Sequence, residues 1–158
     1  MIHHPINPIY DDTSRILILG SFPSVKSREA CFYYGHPQNR FWKVCAAVFD
    51  ETVPETIRQK RDFLLRNHVA LWDVIESCDI TGSADSSIRN VVANDLSVIL
   101  DGAPVGKIFV NGRTAEKFYL KFSKPMTGRD AILLPSTSPA NAAWSLIKLI
   151  EAWRIIKT

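Results

Sequence analysis

The chain has 158 residues, 46% of them hydrophobic and 22% charged. This is ordinary globular composition, with length enough for one core without disulfides or a structural metal, so a single domain over residues 1–158 is expected. A formal net charge of +3 permits a nucleic-acid partner without requiring one, and no stretch reaches the ~18 apolar residues of a membrane-spanning helix.

Residues 15–19, RILIL, form a short apolar run closed by Gly20 and a Ser/Pro-rich turn, the pattern of a buried strand. From residue 39 the run NRFWKVCAAVF puts Phe41, Val44, Cys45 and Val48 at helical spacing, with Asn39 as a suitable N-cap. A further helix is predicted from Pro54, carrying Ile57, Phe63, Leu64 and Leu65, before a second apolar run at residues 69–74. Arg58, Lys60 and Arg61 fit its solvated face.

Residues 94–100 can form a helix, 107–110 (KIFV) a strand, 115–122 a helix and 131–134 (AILL) a fourth strand. Residues 142–157 set Leu146, Leu149, Ile150, Trp153 and Ile156 on one stripe of a closing helix. Strands alternate with helices and are continuously apolar. The predicted fold is therefore α/β: a three-layer α/β/α sandwich around a central parallel four-stranded sheet.

In such a sheet, ligands bind beyond the carboxyl ends of the strands. Three loops matter there: residues 20–27 (GSFPSVKS), 111–113 (NGR) and 135–141 (PSTSPAN). None matches a Walker A loop, a GxGxxG turn, a GxSxG elbow or HExxH. Cys31, Cys45 and Cys78 are widely spaced and form no CxxC pair, so a reduced chain with no metal and no cofactor is expected. MIHHPINPIYDD lacks a basic start followed by an apolar run, which makes the cytoplasm the expected compartment. No membrane association is expected, and the chain is expected to be a monomer.

HPQNRFW, residues 36–42, delivers Gln38, Asn39 and Arg40 to a helix start ahead of two aromatic rings. Read from residues alone, Asn39 is either a cap or a chemical group, and Phe41 and Trp42 are core or pocket wall. PSTSPANA joins hydroxyls and prolines to a helix start that can accept a phosphate, or it is an ordinary capped loop. Asn111 is either a base-edge reader, since its amide both donates and accepts, or a turn residue before Gly112.

Together, GSFPS after the first strand, HPQNRFWKV soon after it and PSTSPANA after the last strand resemble the uracil-DNA glycosylase superfamily over nearly the whole chain. HPQNRFWKV and LWDVIESCDITGSADSSI look like segments of the mismatch-specific uracil and thymine enzymes. GSFPS with PSTSPANA is closer to the hypoxanthine-DNA glycosylases, family six. The mismatch-specific branch carries a catalytic Asn in its first motif, GINPG, where this chain has Phe22, and the cluster-binding cysteines of other branches are missing.

The resemblance implies a monofunctional glycosylase acting on DNA that contains a deaminated base, most simply hypoxanthine, and leaving an abasic site. It transfers the catalytic role to Asn39. It implies a base pocket from Gly20, Ser21, Phe22, Pro23 and Asn111, with Phe22 stacking on the base. DNA contacts would come from Ser24, Ser136, Thr137, Ser138, Pro139, Ala140 and Asn141. Asn does not titrate near neutrality, so its part would be to hold a water for attack on a sugar of oxocarbenium character. Competing readings are a uracil or mismatch-specific glycosylase, a catalytically silent damage-binding module, and a hydrolase of free nucleosides.

Overall fold

The computed structural model describes residues 1–157. A two-residue strand β1 (Ile2–His3) precedes β2 (Ile16–Gly20), whose residues are all buried, as a central strand covered on both faces requires. Three helices follow: α1 (Val25–Ala30), α2 (Phe41–Val48) and α3 (Ile57–Arg66). The fully buried β3 (Val69–Asp73) leads into β4 (Ile75–Asp79) and β5 (Arg89–Ala93). Then come α4 (Ser97–Leu100), β6 (Lys107–Asn111), α5 (Arg113–Phe118), α6 (Lys124–Thr127), β7 (Ala131–Leu134) and α7 (Leu146–Trp153).

The main sheet is four-stranded and parallel, in the order β3-β2-β6-β7. From β2 the chain crosses over to β3 on one side, and from β6 to β7 on the other. Right-handed crossovers running in opposite directions place their helices on opposite faces. α7 packs against α2, so the sequence-predicted α/β sandwich forms. The reversal between β2 and β6 opens a crevice at their carboxyl ends.

Several predicted boundaries move. The first long helix starts at Phe41 with Arg40 at its N-cap, although the Asn39 carbonyl oxygen still accepts from the Phe41 amide at 3.0 Å. α3 begins at a reciprocal capping box, Thr56 with Gln59, rather than at Pro54. Only Ser97–Leu100 of the predicted 94–100 helix is helical, because Asn94 is committed to β3: its side-chain amide donates to the Asp73 carbonyl at 2.9 Å. The 115–122 prediction meets α5 followed by a π-helical stretch, Tyr119–Ser123, and the closing helix starts at Leu146 under a Ser145 cap. A small antiparallel sheet, β1-β4-β5, was not anticipated.

Trp153 and Phe41 are fully buried and meet edge to face, 5.8 Å between centroids, joining α7 to α2. Burying each ring contributes about 1.5–3 kcal/mol. The Trp153 indole also donates to the Pro135 carbonyl at 2.9 Å, so this packing anchors the start of the loop after β7.

Candidate active site

The strand register brings the loops together. Gly20 lies opposite Asp73, Leu19 opposite Val110, and Asn111 opposite Leu134, so four strands end on one edge of the sheet. A cleft of ≈ 820 Å³ opens there, within the range of small-molecule sites. The residues to which the resemblance assigns catalysis, base binding or DNA contact all line this cleft. Gly20, Ser21, Phe22, Pro23 and Ser24 form one wall, Asn39 and Asn111 another. Ser136, Thr137, Ser138, Pro139, Ala140 and Asn141 form the rim.

The wall after β2 is held by its neighbours. The Val74 and Ile75 amides donate to the Gly20 and Ser21 carbonyls at 2.9 and 3.1 Å. Ser24 caps α1 through its hydroxyl oxygen, which accepts from the Ser27 amide at 3.2 Å. Phe22 has the Arg28 guanidinium 5.6 Å from its ring centroid and the His4 ring edge-on at 6.0 Å, while it also lines the cleft. Phe41 and Trp42 prove to be core: both are buried and neither lines the cleft.

Asn39 is half-buried. Its carbonyl oxygen has one lone pair on the Phe41 amide and a second available to a water. Next to it, Arg40 ties the segment to the rim: its amide donates to the Thr137 carbonyl at 3.0 Å. Its guanidinium donates to the Trp144, Ser138 and Asn141 carbonyls, the last two at 3.2 and 3.1 Å.

Asn111 is more engaged than a free base-edge reader would be. Its side-chain nitrogen donates to the Tyr34 hydroxyl at 3.2 Å and the Thr137 hydroxyl at 3.0 Å, and its oxygen accepts from the Thr137 amide at 3.1 Å. Both amide hydrogens are thus used, which leaves one lone pair for a ligand. Thr137 is fully buried, so within the rim loop it serves as the anchor rather than as a surface contact. Gly112 permits this closure: at φ 93°, a Cβ there would lie 3.0 Å from the Ser136 Cβ. The rim braces itself as well, with the Ser136 and Ser138 hydroxyl oxygens accepting from the Ser138 and Ala140 amides, each at 3.1 Å.

Sequence reading assigned no role to Arg40, Asp73 or His4. Arg40 was visible within HPQNRFW, but its carbonyl partners lie about a hundred residues away. Asp73 lines the cleft at the end of β3 and meets His4 at 2.6 Å, with side chains 5% and 3% exposed. Beside it, burial and then the Asp73 charge push the Tyr33 and Tyr34 phenols up, keeping both protonated at any pH near neutrality.

The uracil DNA glycosylase superfamily model matches residues 8–157. A hypoxanthine DNA glycosylase of Methanosarcina barkeri is 35% identical over 136 residues, covering 85% of each chain. One from Methanosarcina acetivorans is 35% identical over 147 residues, covering 92% of each. A solution NMR structure of a Methanosarcina acetivorans protein, described provisionally as a uracil DNA glycosylase, superposes with a TM-score of 0.79 at 32% identity and 97% coverage of both chains. With a family match over nearly its whole length and relatives this similar, the chain belongs to the uracil-DNA glycosylase superfamily.

Proposed function

We propose that this chain is a monofunctional DNA glycosylase that hydrolyses the N-glycosidic bond of a flipped hypoxanthine and leaves an abasic site. The observation that carries the reading is the similarity to the two Methanosarcina hypoxanthine DNA glycosylases, each at 35% identity over most of both chains. The convergence of Phe22, Asn39 and the 136–141 loop on one cleft is what such a reaction needs.

The flipped base stacks on Phe22, and backbone amides of residues 21–24, where only Pro23 lacks a hydrogen to donate, bond its carbonyl. The C1′–N9 bond breaks ahead of water addition, and the DNA phosphates stabilise the sugar cation. Asn39, its amide fixed against the start of α2, offers its second lone pair to a water aimed at C1′. The water oxygen bonds to C1′ and its proton ends on the departing base, so no side chain becomes covalently attached. The rim residues Ser136, Ser138, Pro139, Ala140 and Asn141 press into the opened duplex, with Thr137 as their buried anchor and Ser24 beside a flanking phosphate.

A duplex panel carrying deoxyinosine, deoxyuridine, deoxyxanthosine or mismatched thymine, with products identified by mass, tests this. Free hypoxanthine with an uncut abasic strand is the expected result. Release of uracil or thymine in place of hypoxanthine would overturn the lesion assignment, and activity on free deoxyinosine without DNA would overturn the substrate class.

A further inference from the structure

Asp73 is a buried carboxyl group on the cleft that the mechanism above leaves unused. Its backbone is pinned on both sides: its carbonyl accepts from Asn94, and its strand position faces Gly20. One carboxyl oxygen sits so close to Gly20 that a Cβ there would fall 2.3 Å away, which is why this position has no side chain. The other oxygen meets His4 Nε2 at 2.6 Å. His4 Nδ1 accepts from the Ile6 amide at 3.2 Å, so that nitrogen carries no proton and Nε2 is the donor. Asp73 is thereby held as an acceptor whose orientation His4 fixes, and the His4 ring packs edge-on against Phe22, the ring assigned to stack on the base.

Hypoxanthine and adenine differ at this edge in one decisive respect. Hypoxanthine presents a hydrogen on N1, whereas adenine presents a lone pair there. A fixed carboxylate accepts from the first and repels the second, and a site built around one such bond can discriminate steeply. We propose that Asp73, positioned by His4, reads the base by accepting its N1–H, and so admits a flipped 6-oxopurine while rejecting undamaged adenine. This rests on the glycosylase reading above and deepens it from lesion to recognition.

Asp73→Asn makes a sharp test. His4 still requires an acceptor, so the new amide turns its oxygen toward Nε2–H and presents its NH₂ group to the cleft, opposite in sense to the carboxylate. Binding is measured on duplexes carrying uncleavable 2′-fluoro-deoxyinosine, 2′-fluoro-deoxyadenosine or a tetrahydrofuran abasic analogue, beside single-turnover release from deoxyinosine. The wild-type protein should favour the inosine analogue over the adenosine analogue by ~10-fold or more, on the scale of one charge-assisted hydrogen bond. In Asp73→Asn that ratio should fall to near one or invert, with abasic-analogue affinity retained and deoxyinosine release lowered.

His4→Phe, which removes the donor, should also lower the ratio, and His4→Gln, which keeps an N–H donor, should restore it. These variants decide the matter even if Asp73→Asn fails to fold. An unchanged ratio in folded Asp73→Asn, or in both His4 variants, would overturn the assignment while leaving the glycosylase reading intact. Absence of any hypoxanthine release by the wild-type protein would overturn both.

Discussion

Three side chains on the cleft differ in how much of their placement the sequence exposes. Asn39 stood out as a candidate because a proline turn, an amide and two aromatics stand together in seven residues, and the structure puts it on the cleft. Asn111 was legible as a residue but not in its bonding. Its clasp on Thr137 spans 26 residues and exists only once β6 and β7 are paired. Replacing Asn111 with Ala leaves the Thr137 amide buried without its partner, so the folded state should lose ~1–3 kcal/mol, read as a lowered melting temperature. Unchanged melting with abolished base release would instead make Asn111 a pure base contact. Asp73 was hidden for a plainer reason: its partner His4 is 69 residues away, and the segment LWDVIESCDITGSADSSI that contains it singles out none of its residues for a role.

At the level of elements, the four strands of the main sheet were readable because each is a short apolar run between turn signals, and burial on both faces removes any need for alternation. The antiparallel sheet escaped because β5, RNVVA, is mostly solvent-facing and carries no apolar run long enough to mark it. Helix starts moved where capping chemistry outvoted proline, as at Thr56 and Gln59. The junction of α2 with the rim depends on Arg40, whose guanidinium gathers carbonyls from Ser138, Asn141 and Trp144. Arg40→Ala should therefore loosen residues 138–144 with little effect on the sheet. Hydrogen exchange should rise in that loop, and affinity for a lesion duplex should fall by roughly 10-fold, the scale of a lost charge-assisted contact. Unaltered exchange in the loop would show that the clamp is dispensable.

For the whole molecule, the crevice where strand order reverses brings the ends of β2, β3, β6 and β7 onto one edge, so loops far apart in the sequence share one cleft. A DNA substrate for that cleft makes affinity fall as salt rises, because phosphate neutralisation releases counterions. Pro139→Glu, placing a carboxylate on the rim, should weaken duplex binding with the melting temperature retained, and salt-independent affinity would contradict a DNA substrate. Among the described residues, no group of three or more His, Cys, Asp or Glu side chains is arranged to hold a metal ion. Base release in excess chelator is expected to match the untreated rate, and loss of activity that added metal restores would refute this.

Hydrolysis of a deaminated base by a water that Asn39 holds is read from single-turnover release of hypoxanthine from a deoxyinosine duplex. Asn39→Ala should lower that rate by ~10²-fold or more, the scale of a lost positioning contact, while lesion binding survives. Loss of the bond to the Phe41 amide costs ~1 kcal/mol of stability in the same variant, so melting temperature is recorded alongside. Asn39→Asp, which can still accept from that amide, separates the two effects: it should keep the stability and alter the rate. Release at the wild-type rate by a destabilised Asn39→Ala protein would reduce Asn39 to a support for the start of α2 and contradict the mechanism.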